Sequence, residues 1–131
     1  MIKALIFDCF GVIIHGTNQN ILDDIRVLRK HYKTAILSNT SSTVFFRFFP
    51  GDTSKEYFDE LIFSYDEGIT KPNSKIYLMA AQKLKVKPNE CIFIDDSEDN
   101  IKGAEAIGMI GVLYRDEENF KHQLRELGID I

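Results

Sequence analysis

The stretch LIFDCFGVII, at positions 5–14, places a single carboxylate directly after a run of apolar residues. Residues 2–7, which lead up to Asp8, are mostly apolar without strict alternation, as is typical of a strand buried on both faces. An aspartate after such a strand is most often a turn or capping residue, so Asp8 alone is a weak sign of function. Its meaning depends on what the rest of the chain brings to the same place.

Segments with the character of strands and helices alternate along the rest of the chain. Besides residues 2–7, the predicted strands are 34–39, 62–65, 90–95 and 109–114. The predicted helices are 18–32, 42–49, 54–62, 73–86, 97–108 and 118–127. This alternation predicts an α/β fold in which helices cover both faces of a parallel sheet.

Length and composition exclude several classes of protein. The chain has 131 residues, 44% of them hydrophobic, and a formal net charge of −4. The length suits one domain over residues 1–131, and the acidic balance argues against nucleic-acid binding. No apolar run approaches the roughly 20 residues that cross a bilayer, and the N-terminus lacks a signal-peptide layout, so we expect a cytoplasmic protein without membrane contact. Cys9 and Cys91 are expected to be reduced, because the proposed sheet separates them too widely for a disulfide.

Polar side chains follow four of the predicted strands. They are Asp8, Ser38-Asn39, Asp66-Glu67 and Asp95-Asp96. The carboxyl ends of parallel strands meet at one edge of a sheet, where binding sites form, so we expect these groups to converge. Adjacent carboxylates repel each other unless a cation or hydrogen-bond donors compensate, and hard oxygen ligands suit Mg²⁺.

Together these groups predict phosphoryl-transfer chemistry. Asp8 can attack a phosphorus or carbon centre as a carboxylate nucleophile. Mg²⁺ held by Asp8 and the Asp95-Asp96 pair would neutralise phosphoryl oxygens, while the Ser38 hydroxyl and the Lys71 ammonium would donate to them. Positioning and charge stabilisation are what this chemistry mainly requires.

Four short motifs occur in order along the chain. They are LIFDCFGVI (5–13), ILSNTS (36–41), EGITKPNSKIY (67–77) and CIFIDDSEDNIKGAEAIGM (91–109). In this order and spacing the chain resembles the haloacid dehalogenase (HAD) superfamily of hydrolases over essentially its whole length. The resemblance implies a three-layer α/β/α Rossmann-like core with strand order 5-4-1-2-3.

The resemblance also implies roles for individual residues. Asp8 would be the nucleophile, with Lys71 beside it as a catalytic residue. The implied phosphate-binding residues are Ser38, Asn39 and Lys71. The implied Mg²⁺ ligands are Asp8, the backbone carbonyl of Phe10, Asp95 and Asp96, with Asp96 as the main acidic ligand and Asn100 orienting the site.

Phe10 departs from the family pattern. Most family phosphatases carry a second aspartate there, which protonates the leaving alkoxide and later activates water, and phenylalanine can do neither. General acid–base help is worth about 10²–10⁴ in rate, so alkyl phosphates should be hydrolysed poorly while phosphate and Mg²⁺ still bind. His15, in the predicted flap over the site, is a possible substitute that titrates in the useful range, although a loop histidine is more often simply solvated.

The chain also has no room for the helical cap domain that many relatives insert after the nucleophile loop. Only residues 15–20 separate the flap from the first helix, and the segment between Asn39 and Lys71 is too short for a large insertion. The site is therefore expected to be open, so that a large phosphorylated substrate or a partner chain covers it. An open site also disfavours dehalogenation, because a cap encloses small organic acids.

The aromatic run FFRFF, at 45–49, has two interpretations. On a helix Phe45, Phe48 and Phe49 share one face, whereas Phe46 and Val44 fall to either side. The run is either core packing with one residue at the rim, or an apolar patch that supports a homodimer or a partner.

Three functions remain open from the sequence. The first is an Mg²⁺-dependent HAD-type hydrolase, a phosphatase acting through an aspartyl phosphate at Asp8. The second is a catalytically degraded module that binds phosphate, metal or a protein partner. The third is a dehalogenase-like hydrolase. Phe10 separates the first two, and the intact set of Asp8, Ser38, Lys71 and Asp96 favours the enzyme.

Overall fold

The computed structural model describes residues 1–14, 19–49 and 51–131, and within them five parallel strands form one sheet. The strands are β1 (Ala4–Phe7), β2 (Lys33–Ser38), β3 (Glu60–Phe63), β4 (Cys91–Asp95) and β5 (Ile110–Leu113). The helices are α1 (Gln19–Leu28), α2 (Ser42–Phe48), α3 (Gly51–Ser54), α4 (Ser64–Glu67), α5 (Ser74–Lys83), α6 (Glu98–Glu105) and α7 (Glu117–Glu126). The sheet order is β3-β2-β1-β4-β5, so the predicted α/β class and strand order are confirmed.

The central strand β1 is buried on both faces. Leu5 and Phe7 face one hydrophobic core, whereas Ala4 and Ile6 face the other. Because both faces of a parallel strand are covered by helices, its residues form an almost continuous apolar run instead of an alternating one. The carboxyl end of β1 therefore delivers Asp8 to the middle of the sheet edge.

Helices cover the two faces of the sheet unequally. The first core takes side chains from α1, α2 and α7, such as Ile21, Phe45 and Phe120. The second core takes Ile76 of α5 and Ala104 of α6. In the described part of the chain no cap domain is added to these three layers.

The predicted helix over 54–62 is wrong. Helix α3 ends at Ser54, a turn follows, and Glu60–Phe63 is strand β3. The cause is tertiary, because β2 needs a partner for its outer backbone groups and pairs with β3 from Ala35↔Glu60 to Ser38↔Phe63. Pairing with a neighbouring strand overrides the helical spacing of this segment.

The aromatic run on α2 is divided between core and surface. Phe45 and Phe49 are buried and their rings stack with centroids 5.3 Å apart. Phe46 is 40% exposed and Phe48 is 55% exposed, so two rings lie at the surface where core packing predicted one. Phe48 does not join the buried face, and its ring instead contacts the ring of Phe10. A homodimer through this run stays a prediction.

Two other predictions concern cysteines and membranes. Cys9 and Cys91 are free and buried, and Cys91 pairs with Ala4 at the opposite end of β1 from Cys9, as expected. Among the helices that the structure describes, none is long and apolar enough to span a bilayer.

Candidate active site

The ends of β1 and β4 place two carboxylates side by side. Phe7 pairs with Ile94, and the Asp8 amide donates to the Ile94 carbonyl at 2.8 Å. Asp8 and Asp95 therefore leave the sheet at the same level on neighbouring strands. One carboxylate oxygen from each of Asp8, Asp95 and Asp96 lies within 4.8 Å of the other two.

Lys71 joins the two strand ends. Its Nζ lies 2.9 Å from Asp8 Oδ1 and 2.8 Å from Asp95 Oδ2, and its side chain is almost completely buried. The ammonium also lies over the Phe93 ring, 5.4 Å from the centroid, on the face of the sheet that α5 and α6 cover. Lys71, from the loop before α5, thus reaches the acids from the face of the sheet that α5 and α6 cover. Its pairing with two carboxylates offsets the cost of burying an ammonium.

Asp95 is held by three donors. Besides Lys71, the Asn100 side chain donates to Oδ2 at 3.1 Å and the Ser97 amide donates to Oδ1 at 3.0 Å. Ser97 is also the N-cap of α6, as its position predicted, and accepts from the Asn100 amide. Because Asp95 is fully buried, these bonds fix its carboxylate as the acceptor that anchors Lys71.

Asp96 differs from its neighbour because it is exposed to solvent and lies against Gly11. Gly11 has φ +93°, and a Cβ atom there would come 2.7 Å from Asp96 Cγ. Only glycine gives both the left-handed backbone and the space that the carboxylate occupies. Gly11 is not among the site residues predicted from the sequence, where its signal was a glycine three positions after the nucleophile.

Asn39 contacts the backbone of Lys71 through both atoms of its amide. The Lys71 amide donates to Asn39 Oδ1 at 2.9 Å, and Asn39 Nδ2 donates to the Lys71 carbonyl at 3.2 Å. Ser38 is buried two positions beyond Ile36, the partner of Phe7, so it lies at the same sheet edge as Asp8. The structure therefore brings the ends of β1, β2 and β4 together around Lys71.

One of the four predicted groups, the pair Asp66-Glu67, is not part of this cluster. Asp66 accepts from the Ser42 amide at 3.3 Å, and Glu67 pairs with Lys83 at 3.4 Å. Both lie on the short helix α4 that follows β3, where they contact α2 and α5. The expectation that all four strand ends converge is thus met by three of them. His15 lies outside the described residues.

Burial and mutual repulsion control the protonation of the acids. Burial raises the pKa of Asp8 to about 6, with Asp95 adding to the rise and Lys71 opposing it. Burial also raises the pKa of Asp96, and the interaction of Asp96 with Asp95 raises it further. With all three acids ionised and Lys71 protonated, the cluster carries a formal charge of −2, which a divalent cation would balance.

The thiol of Cys9, next to Asp8, is unreactive as a nucleophile at neutral pH. Burial raises the pKa of Cys9 to about 12, and the charge of Asp8 adds to the effect. A thiol with that pKa holds almost no thiolate at neutral pH. Cys9 is therefore a poor candidate for a nucleophile at this sheet edge.

A five-stranded parallel core between helices, with a lysine-bridged acid cluster at its carboxyl edge, defines a protein of the Rossmann-like α/β class. The haloacid dehalogenase-like hydrolase family matches residues 20–108. The chain belongs to this family. The match begins after the loop that follows β1, so Asp8 and Phe10 lie outside it.

Curated relatives cover part of the chain and are themselves longer. The chain is 36% identical over 93 residues to D-ribitol-5-phosphate phosphatase of Bacteroides thetaiotaomicron, over 66% of this chain and 45% of that protein. It is 39% identical over 72 residues to bifunctional epoxide hydrolase 2 of Rattus norvegicus, over 55% of this chain and 13% of that protein. The chain thus spans less than half of these relatives.

Solved structures extend the likeness. An uncharacterized protein from Corynebacterium glutamicum superposes with a TM-score of 0.86 at 23% identity, covering 99% of this chain and 98% of the other, which shows the shared fold. An HAD family enzyme of B. thetaiotaomicron, solved as an Asp-to-Ala mutant with magnesium and inorganic phosphate, superposes with a TM-score of 0.71 at 28% identity, covering 81% of this chain and 57% of the other.

Proposed function

We propose that this chain is an Mg²⁺-dependent phosphatase that acts through an aspartyl phosphate at Asp8. The observation that carries the proposal is the Asp8 carboxylate, bridged by buried Lys71 within an acid cluster of formal charge −2 at the carboxyl edge of the sheet. The phosphatase relative and the magnesium–phosphate complex of a family member support the same chemistry.

The cluster fits Mg²⁺ by charge and by donor type. Asp8 and Asp96 would hold the ion with the Phe10 carbonyl, while Asp95, whose oxygens already accept from Lys71, Asn100 and Ser97, would stay close beside it. When bound, Mg²⁺ offsets the repulsion between the carboxylates and the negative charge of a phosphoryl group.

The reaction proceeds in two halves on Asp8. In the first, an Asp8 oxygen attacks phosphorus, the bond to the ester oxygen breaks, and that oxygen leaves with the electron pair. In the second, water attacks phosphorus, the bond to Asp8 breaks, and the carboxylate is restored with release of inorganic phosphate. Asp8 must be ionised to begin, so activity requires a pH above its pKa in the loaded enzyme.

Three other residues prepare the site for this attack. Lys71 supplies a fixed positive charge next to the nucleophile, and Ser38 offers a hydroxyl at the neighbouring strand end. Asn39 positions Lys71 by bonding to its amide and its carbonyl. Because these two bonds fix the backbone from which the Lys71 side chain extends, we infer that they set how far the ammonium reaches.

The second candidate is a module that binds phosphate, metal or a protein without turnover. The observation that favours it is Phe10, which places an aromatic ring where family phosphatases carry their general acid. Loss of that group slows both halves of the reaction but leaves the nucleophile, Lys71 and the acids in place. We favour the enzyme because these groups are intact and correctly joined.

The test measures substrate turnover and looks for the phosphorylated form of Asp8. The parent chain, Asp8→Asn and a surface control, Asp52→Asn, are assayed with Mg²⁺ against acetyl phosphate and 4-nitrophenyl phosphate. We expect release of phosphate by the parent and the control, none by Asp8→Asn, and a phosphoryl group on the Asp8 peptide of acid-quenched parent by mass spectrometry. Activity that survives Asp8→Asn would overturn the mechanism, and an inactive parent would favour the binding module.

A further inference from the structure

Two aromatic rings form a contact at the loop that follows Asp8. The rings of Phe10 and Phe48 meet edge to face, with centroids 5.5 Å apart and an interplanar angle of 82°. Phe10 is partly buried against the first core, whereas Phe48 leaves more than half of its surface in solvent. An exposed ring fixed against a second ring is a preformed apolar contact surface.

Phe10 lies in the loop that links Asp8 of the acid cluster to Gly11. It follows Asp8 by two residues and precedes Gly11, the residue that packs against the Asp96 carboxylate. Lys71 reaches the same cluster from the core beneath α5 and α6, whereas Phe10 packs against the opposite core. The ammonium and the Phe10 ring therefore belong to opposite faces of the sheet at the edge that carries Asp8.

The chemistry of Phe10 limits the leaving group. Without a general acid the ester oxygen must depart as an anion, so the pKa of the departing alcohol decides the rate. A phenol has a pKa of about 10, whereas an alkanol is closer to water at about 16. The same side chain that lacks the proton donor also adds an apolar ring two residues after Asp8.

We propose that this site selects aryl phosphate monoesters, with the aryl ring of the leaving group packed against Phe10 and Phe48. The proposal rests on the phosphatase function proposed above and names its substrate class. The P–O bond breaks with both electrons going to the aryl oxygen, which leaves as a phenolate and needs no protein proton.

A kinetic consequence follows from the second half of the reaction. Hydrolysis of the aspartyl phosphate also lacks a base, because Phe10 cannot activate water, and it is the same step for every substrate. Aryl phosphates should therefore give a burst of phenol equal to the enzyme concentration, followed by slow turnover. Substrates should therefore differ in kcat/KM and in the rate of the burst. The value of kcat should be nearly the same for all of them.

The experiment removes the exposed ring and compares two activated substrates. Phe48→Ala is assayed beside Phe46→Ala, a matched control on the same helix whose ring contacts Phe45 and Phe63. We expect Phe48→Ala to lower the ratio of kcat/KM for 4-nitrophenyl phosphate to that for acetyl phosphate by about three- to tenfold, because acetyl phosphate has no ring. Phe46→Ala should keep the parental ratio, and Phe48→Tyr should restore it.

The outcomes separate the two proposals. A parent that hydrolyses both substrates with a ratio unchanged by Phe48→Ala would overturn the aryl selectivity and leave the phosphatase standing. Turnover without a burst would equally contradict a slow second step. A parent that turns over neither substrate would overturn the phosphatase itself, and the aryl selectivity with it.

Discussion

At the scale of single residues, Phe10 and Gly11 have opposite effects on the site. Phe10 stands where the family resemblance implies a proton donor, and under the proposed mechanism its aromatic ring restricts the chemistry. Gly11 supplies a positive φ and the space against which the Asp96 carboxylate lies, which makes the acid cluster possible. The two residues are neighbours in the sequence. One loop therefore controls both the packing of the Asp96 carboxylate and, in the proposed mechanism, the supply of protons.

The Phe10→Asp variant tests the proton supply. An aspartate there can protonate a leaving alkoxide and later activate water, so kcat/KM for an alkyl phosphate should rise by about 10²–10⁴. Activity on an activated aryl phosphate should rise much less in its first step, and the burst should disappear. Steady-state and rapid-quench assays measure both effects. An alkyl phosphatase activity no higher than that of the parent would contradict the role assigned to position 10.

The Gly11→Ala variant tests the packing of Asp96. A methyl group there would displace the carboxylate, so the affinity for Mg²⁺ should fall at least about tenfold, measured by isothermal titration calorimetry. Gly108→Ala is the matched control, because Gly108 has φ +98° and a Cβ atom added there would meet nothing within 4 Å. Both variants should lose about 1 kcal/mol of stability from backbone strain. Equal Mg²⁺ affinities in the two variants would refute the packing argument.

At the scale of elements, the site is made where strand ends meet loops. β1 and β4 bring the acids to one level, and β2 ends in Asn39, which bonds to the loop that carries Lys71. The residues joined by the Lys71–Asp8 pair are 63 positions apart in the chain. The sheet register therefore sets the distances that the chemistry needs, and the loop before α5 completes them.

The Asn39→Ala variant tests the connection between β2 and this loop. Loss of both bonds should cost about 1–2 kcal/mol of stability and, because Lys71 is no longer held, lower kcat/KM by about tenfold. Asn73→Ala is a matched control, because Asn73 caps α5 two residues beyond Lys71 and accepts from the Lys75 amide. It should lose about 1 kcal/mol with little change in kcat/KM. Equal losses of activity in both variants would show that Asn39 acts through stability alone.

At the scale of the whole molecule, charge in the site works against the stability of the metal-free protein. The folded-state pKa of Asp8 lies near 6, above its ordinary value of 3.8, because burial outweighs the attraction of Lys71. The stabilisation that comes from its bound proton is present below about pH 4 and is lost as pH rises through 6. The metal-free protein thus carries an unfavourable charge at neutral pH, which a cation would relieve.

Thermal unfolding with and without Mg²⁺ tests this linkage. We expect the rise in Tm caused by Mg²⁺ to be larger at pH 7.5 than at pH 5, because protonation of Asp8 competes with the cation by about tenfold in affinity per pH unit below 6. In EDTA, Asp8→Asn should be more stable than the parent at pH 7.5, and the difference should shrink at pH 5. A Tm rise that is independent of pH would contradict the assigned pKa of Asp8.

The sequence by itself determined the alternation of strands and helices, the buried central strand before Asp8, and the acids at the strand ends. These follow from periodicity and from local residue type, which act over a few neighbouring residues. The order of the strands came from the resemblance to a family and was confirmed.

Only the tertiary structure decided which side chains at the carboxyl ends of the strands contact one another. The strand predicted at 62–65 lies instead at 60–63, where it pairs with β2. Asp66 accepts from the Ser42 amide, and Phe48 lies at the surface beside Phe10. The pairing of Lys71 with two buried carboxylates depends on the sheet register and on the burial of distant segments. Contacts between residues far apart in the chain leave no local periodicity, so their distances exist only once the core has packed.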